Sequence, residues 1–108
     1  MIKIAIVDDE KTFIQTYEKE ILNLFNEFAF ECEIATYSDS VAFQQENEKT
    51  EYDLVFLDID MPDISGMQLA SELCKNNHHT TIIFVSSHSN FVFEAFRHSA
   101  YRFRRIDL

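Results

Sequence analysis

Asp8-Asp9-Glu10 follows the apolar run Ile2–Val7, Asp58 closes the apolar run Leu54–Leu57, and Ser86-Ser87 follows Ile82–Val85. Taken singly these residues are ordinary. Acids gather at helix N-termini, where they complement the helix dipole, and Asp58 or Ser86 alone would read as a turn residue. Together, Asp8, Asp9 and Asp58 are three anions that repel one another and call for a cation. Hard oxygen ligands favour Mg²⁺, which keeps part of its water shell and shares it readily with a phosphoryl group. A carboxylate beside such a cation can attack phosphorus, because the charge between the two is neutralised. The chain has one proline and one glycine, and both (Pro62 and Gly66) fall in the stretch just after Asp58. That concentrates backbone punctuation at the same loop.

The elements needed to bring these residues together can be read from hydrophobic periodicity. Ile2–Val7, Leu54–Leu57 and Ile82–Val85 are short, wholly apolar runs, as expected of buried strands. Phe13, Tyr17, Ile21, Leu24, Phe25 and Phe28 recur at helical spacing with polar residues between them, which predicts an amphipathic helix of about five turns. Phe30–Tyr37 alternates, with Phe30, Cys32 and Ile34 on one side and Glu31 and Glu33 on the other, the pattern of a half-exposed edge strand. Ser38–Lys49 reads as a polar helix with Val41, Ala42 and Phe43 as its apolar contacts. Ser65-Gly66-Met67-Gln68 has capping-box spacing, so a helix is expected from there to about Lys75. Asn90 could cap a short helix through His98, and Tyr101–Ile106 is strand-like. The alternation of strands and helices predicts a parallel sheet with helices on both faces. In such sheets ligands bind outside the carboxyl ends of the strands, where strand order reverses, and there Asp8, Asp9, Asp58 and Ser86 would meet.

The set Val7-Asp8-Asp9-Glu10, Leu57-Asp58-Ile59-Asp60-Met61-Pro62 with Gly66, and Ile82–Ser86 resembles the bacterial two-component response-regulator receiver domain. The resemblance covers essentially residues 1–108, as one domain. It implies an α/β, flavodoxin-like, doubly wound fold with a five-stranded parallel sheet in the order 2-1-3-4-5. It further implies that Asp58 accepts a phosphoryl group from a histidine kinase, and that Mg²⁺ is held by Asp8, Asp9, Asp58 and the main-chain carbonyl of Asp60. Ser86 would be the switch hydroxyl and Phe103 the aromatic switch position on the fifth strand. Such a protein is a phosphoacceptor rather than an enzyme, with at most weak self-phosphorylation from small donors and self-dephosphorylation. The stretch Ser86–Phe103 is similar to receivers that precede LytTR-type DNA-binding domains, so the implied output is transcription control through a domain outside this chain.

Two positions depart from the family pattern. Ile106-Asp107 stands where a lysine, often followed by proline, usually closes the fifth strand. Arg105 or Arg104 could supply the missing cation, but alternation along a strand lets only one of them do so. The chain also stops before a fifth helix, which gives the expectation of a receiver shortened at its C-terminus with its last helix missing. Two other readings compete. One is a pseudo-receiver, a protein-interaction module that keeps the fold without switching, which Ile106 favours and the acidic set opposes. The other is a Mg²⁺-dependent phosphohydrolase, since Asp58-Ile59-Asp60 resembles the Asp-x-Asp of haloacid-dehalogenase-like phosphatases and of Toprim domains. The former carry that motif on the first strand of a longer chain; the latter want Glu-Gly where this chain has Glu10-Lys11.

Composition narrows the field. At 108 residues, 46% hydrophobic and 26% charged, the chain suits a single globular core rather than a disordered tail. The net charge of −10 argues against nucleic-acid binding by this segment itself, because phosphate contacts need a basic face. All four arginines (Arg97, Arg102, Arg104 and Arg105) lie near the C-terminus. No apolar run approaches the ~20 residues of a membrane span, no leader precedes the first strand, and two cysteines are too few for a disulfide framework, so a cytoplasmic setting is expected. Cys32 and Cys74 read as small core fillers, and His78, His79, His88 and His98 lack zinc-site spacing. Phe91, Val92, Phe93, Ala95 and Phe96 are too many close apolar residues for one buried stripe. They are either core with a scattered surface aromatic, or a homodimer or output-domain surface on the fourth helix and fifth strand.

Overall fold

The structure is a computed structural model that describes residues 1–59, 61–76, 79–85 and 103–106. Strand β1 (Ile2–Val7) leads into helix α1 (Lys11–Glu27); β2 (Cys32–Tyr37), α2 (Ser40–Asn47), β3 (Leu54–Asp58), α3 (Gly66–Asn76), β4 (Thr81–Val85) and β5 (Phe103–Ile106) follow. The five strands form one sheet in the order β2-β1-β3-β4-β5, and every pairing is parallel. The expected topology and the edge position of β2 are both found. Among the described residues no helix is long and apolar enough to cross a membrane.

Alternation divides the sheet into two apolar faces. Ala5, Val7, Val55, Leu57, Ile82 and Phe84 pack against Phe43 of α2 and Leu69, Ala70 and Leu73 of α3. The opposite face carries Ile4 and Ile6 with Leu54 and Phe56, covered by Ile14, Ile21, Tyr17 and Phe25 of α1. Full burial of a side chain such as Phe43, Leu57 or Ile4 contributes about 1.5–3 kcal/mol, so the inner strands hold most of the fold. At the sheet's N-terminal edge, Asp53 ties three strands together. Its N–H donates to the Lys3 carbonyl, its carboxylate accepts from the Lys3 N–H at 2.8 Å, and its carbonyl accepts from Thr81.

Three local expectations are revised. The buried stripe of α1 runs through Ile14 and Ile21, with Tyr17 and Phe25 half-buried; Phe13, Leu24 and Phe28 are exposed. Ile14 and Ile21 meet Ile4 and Ile6 of the sheet with Tyr17 and Phe25 beside them, and the rest of the aromatic stripe turns to solvent. Phe30 does not begin β2. It closes α1, where its N–H donates to the Phe25 carbonyl at 2.9 Å and the Ala29 N–H donates to Asn26. This is a Schellman motif, completed by the edge contact of the Phe25 and Phe30 rings at 6.3 Å. In α2 only Phe43 of the three expected contacts is fully buried; Val41 is half-buried and Ala42 exposed. The expected helix from Asn90 to His98, with Phe91, Val92, Phe93, Ala95 and Phe96, lies outside the described residues, as do His78 and His88.

Candidate functional site

The sheet register places the acids. Val7 and Leu57 are partners across the β1–β3 pairing, so the next residues along those strands, Asp8 and Asp58, lie side by side at about the 4.8 Å strand spacing. Asp9 follows Asp8 before α1 begins. Carboxylate oxygens of Asp8, Asp9 and Asp58 lie within 4.8 Å of one another. Asp8 is 3% exposed, Asp58 is half-buried and Asp9 is open to solvent. The set therefore has a buried base and a wet mouth. Three carboxylates in this arrangement offer the hard oxygen donors that suit a small divalent cation with some of its own waters.

Asp8 carries the strain of the site. Burial pushes its carboxyl above the usual carboxylate range, and the negative charges of Asp9 and Glu10 add to the rise. Two hydrogen bonds work against it: the Glu10 N–H donates to Oδ1 at 2.9 Å, and the Asp58 side chain shares a hydrogen bond with Asp8. A cation between the two acids would relieve the same repulsion.

The loop after Asp58 is held by packing on both sides. Ile59 and Met61 are buried. Gly66 opens α3 and donates its N–H to the Ile59 carbonyl at 2.8 Å. A Cβ at Gly66 would meet the Asp58 carbonyl oxygen at 2.0 Å and Ile59 Cα at 2.7 Å, both backbone atoms that cannot swing aside. The glycine is thus required for close approach of the helix to the strand end; among the described residues no glycine has positive φ. Ser65 caps α3 by accepting from the Gln68 N–H at 3.2 Å, as its spacing predicts. Asp63 takes the left-handed conformation, with φ 64°, which a short polar side chain tolerates.

Ser40 was not singled out by its spacing, yet it fastens this loop. It is 3% exposed; its hydroxyl donates to the Pro62 carbonyl at 3.2 Å and accepts from the Ile64 N–H at 3.3 Å. Next to the N-cap Asp39, which accepts from Val41 at 3.0 Å, it reads in sequence as one more polar first-turn residue. Helical spacing places Tyr17 on the apolar stripe of α1. Its ring does pack in the α1 face, but its hydroxyl lies where the charges of Asp8 and Asp58 reach it. The signal was a hydroxyl on an otherwise apolar stripe.

Of the remaining site residues, Asp60 and Ser86 lie outside the described residues, as does Asp107. Phe103, Arg104, Arg105 and Ile106 are placed by backbone register alone. Phe103 pairs with Ile82 in the row of Val55 and Ala5, and Arg105 pairs with Phe84 in the row of Leu57. Asp58 pairs with Val85 and Val85 with Ile106, so Ile106 occupies the strand-end row of Asp58, with Arg104 two residues before it.

Residues 4–103 match the response regulator receiver domain family. The chain is 30% identical over 92 residues to the sensory transduction protein LytR of Staphylococcus saprophyticus, covering 85% of this chain and 35% of that protein. It is 31% identical over 97 residues to the sensory transduction protein LytT of Bacillus anthracis, covering 89% of this chain and 37% of that protein. This chain therefore spans little more than a third of those curated relatives. Among solved structures it is similar to the response regulator TrrA of Thermotoga maritima in complex with Mg²⁺ and BeF, with a TM-score of 0.82, 27% identity, and coverage of 98% of this chain and 86% of that one. A match across nearly the whole length, on a parallel sheet that brings Asp8, Asp9 and Asp58 to one end, places the chain in the response regulator receiver domain family.

Proposed function

We propose that this receiver is a phosphoacceptor switch in which Asp58 takes a phosphoryl group from the phosphohistidine of a histidine kinase. The observation that carries the reading is the meeting of Asp8, Asp9 and Asp58 oxygens within 4.8 Å at the ends of neighbouring strands. An Asp58 carboxylate oxygen attacks phosphorus, the new O–P bond forms as the P–N bond breaks, and the imidazole departs with its electron pair. Asp8, Asp9, Asp58 and the main-chain carbonyl of Asp60 would hold Mg²⁺, whose charge, when bound, lets one anion approach another. The cation-bearing form of a similar solved receiver, TrrA with Mg²⁺ and BeF, supports this assignment. Ser86 would turn its hydroxyl toward the phosphoryl oxygens and Phe103 would follow, shifting the population of the surface formed by the fourth helix and fifth strand. That surface would serve a homodimer or an output domain. The sensory transduction proteins LytR and LytT, of which this chain spans little more than a third, support a signalling role; the output would be transcription control through a DNA-binding domain, in the cytoplasm.

Incubation with acetyl phosphate and Mg²⁺, followed by intact mass measurement beside Asp58→Asn, tests the reading. One added phosphoryl group, absent without Mg²⁺ and absent in the variant, is the expected result; addition that persists in Asp58→Asn would move the acceptor elsewhere. A second reading, a pseudo-receiver that binds partners without switching, draws on Ile106. An aliphatic residue stands in the strand-end row of Asp58, where the family's lysine would bind the phosphoryl group. Arg105 or Arg104 would have to replace that cation. Mg²⁺ binding without phosphorylation, from acetyl phosphate or a kinase, would favour this second reading.

A further inference from the structure

The two faces of β3 and β4 are unequally covered. Val55, Leu57, Ile82 and Phe84 pack with α2 and α3 and are fully buried. On the opposite face Ile4 and Ile6 are equally buried beneath α1, but their register partners Leu54 and Phe56, and Ile83 beyond Phe56, are only half-buried. Burial on this face therefore fades from β1 toward β4, and among the described residues no helix lies over its outer half. Helix α1 sits to one side. Lys11, Gln15 and Glu18 share a shallow cleft with Thr36 and Ser38, so that flank of the helix meets β2. The other flank carries Phe13, Tyr17, Leu24 and Phe28 within an arc of about 60°, next to the arc of Ile14 and Ile21 that meets the sheet. It borders the half-covered rows of β3 and β4. Phe13, Leu24, Phe28 and Phe30 are between 47% and 64% exposed. Phe28 stacks on Phe30 at 6.5 Å and Phe13 on Tyr17 at 6.2 Å, so the exposed rings support one another as a ridge.

Single apolar residues on a surface need no explanation, whereas a contiguous patch of several hundred Å² does. At about 200 Å² for an aromatic side chain, the half-exposed side chains of this ridge offer on the order of 400 Å² per molecule. The half-buried floor of Leu54, Phe56 and Ile83 adds to it, so two such faces laid together remove about 1,000 Å² from water, where specific contacts between proteins begin. We propose that this face is the interface of a two-fold dimer, the aromatic ridge of α1 from one molecule resting in the trough over β3 and β4 of the other. A ridge beside a trough is self-complementary, which a two-fold contact requires. Glu20 and Glu27 border the ridge on its solvent side, and in a chain of net charge −10 like charges meet at the rim of such a dimer. The attraction is apolar and opposed by charge, so added salt tightens it by screening. This face uses neither Asp58 nor the surface of the fourth helix and fifth strand, so the dimer and the proposed function stand or fall independently.

Sedimentation velocity on the wild type, Leu24→Glu and Phe28→Glu, from about 1 μM to about 1 mM, tests the proposal, with a melting curve for each protein. The wild type should pass from monomer to dimer across this range, and at lower concentration when NaCl is added. Each variant should raise the dissociation constant about 10-fold or more. Its melting curve in dilute solution should stay close to that of the wild type, because both side chains are exposed in the monomer. If an acidic variant does not fold, Leu24→Gln and Phe28→Gln carry the same expectation without the added charge. A wild type that stays monomeric at every concentration would overturn the proposal. Unchanged dimerisation in the α1 variants would overturn it too, by placing the contact on another surface. A dimer loosened by NaCl would do the same, since it would reveal attraction between opposite charges.

Discussion

The carboxyl of Asp8 opposes the fold that holds it. Its carboxyl is raised by burial and by neighbouring acids, so the folded state holds the proton more tightly than the unfolded chain. The stability contributed by this proton is fully present below the unfolded value of 3.8 and is lost as pH rises through the higher folded value. Ionisation of Asp8 is thus a cost to the folded state. Asp8→Asn keeps an oxygen for the Glu10 N–H and offers an amide N–H to Asp58. It should therefore raise metal-free stability at pH 7 by on the order of 1 kcal/mol, the range of single stabilising substitutions. For a domain of this size that is roughly 4–8 °C in melting temperature. The gain should vanish at acid pH, where both side chains are neutral, and Mg²⁺ should no longer stabilise the variant. Melting curves against pH check this, and a gain that grows toward acid pH would contradict it.

At the scale of elements, helix ends and strand ends divide the work. Strand ends present Asp8 and Asp58; helix α3 begins so close to Asp58 that only Gly66 fits; α2 begins with Ser40 bonded to the loop between them. The strands and the acidic set were legible because period-2 and wholly apolar runs leave little choice of face, and because acids at run ends are a local signal. Ser40 was not legible, since its partners Pro62 and Ile64 are distant in sequence and become neighbours only after folding. The rotation of α1 is illegible for a related reason: its exposed Phe13 and Phe28 and buried Ile14 and Ile21 are comparably hydrophobic, and the contacts with Ile4 and Ile6 that separate them exist only after folding. The end of α1 yields a prediction. Ala29 fills the left-handed position of the Schellman motif, with φ 58°, a conformation that costs an L-residue roughly 1–2 kcal/mol and is usually given to glycine. Ala29→Gly relieves that cost while adding freedom to the unfolded chain. The net expectation is a stabilisation of about 0.5–1 kcal/mol, read from denaturant midpoints with an unchanged slope. A lower midpoint would show that the Ala29 methyl group contributes contacts worth more than the strain.

Across the whole molecule the charge is lopsided in amount and in place. The net charge is −10, and the positive residues among 76–108 are four arginines, whereas most acids lie before Lys75. Such a charge favours solubility and works against compaction by self-repulsion. Two effects of added salt should then be separable. Monovalent salt screens repulsion everywhere, since the Debye length falls from about 30 Å at 0.01 M to about 10 Å at 0.1 M, so NaCl should raise the metal-free melting temperature smoothly, without saturating at low concentration. Mg²⁺ at matched ionic strength should add a saturable increment from Asp8, Asp9 and Asp58. Binding to the folded state alone gives about 2.7 kcal/mol at 100 times the dissociation constant. Asp58→Asn removes one charge and, on the proposed function, one ligand, so it should keep the NaCl response and lose most of the Mg²⁺ increment. Melting series in NaCl and MgCl₂ on both proteins distinguish the two contributions. Coincident curves for the two salts in the wild type would mean that the acidic cluster is only one more patch of repelling charge.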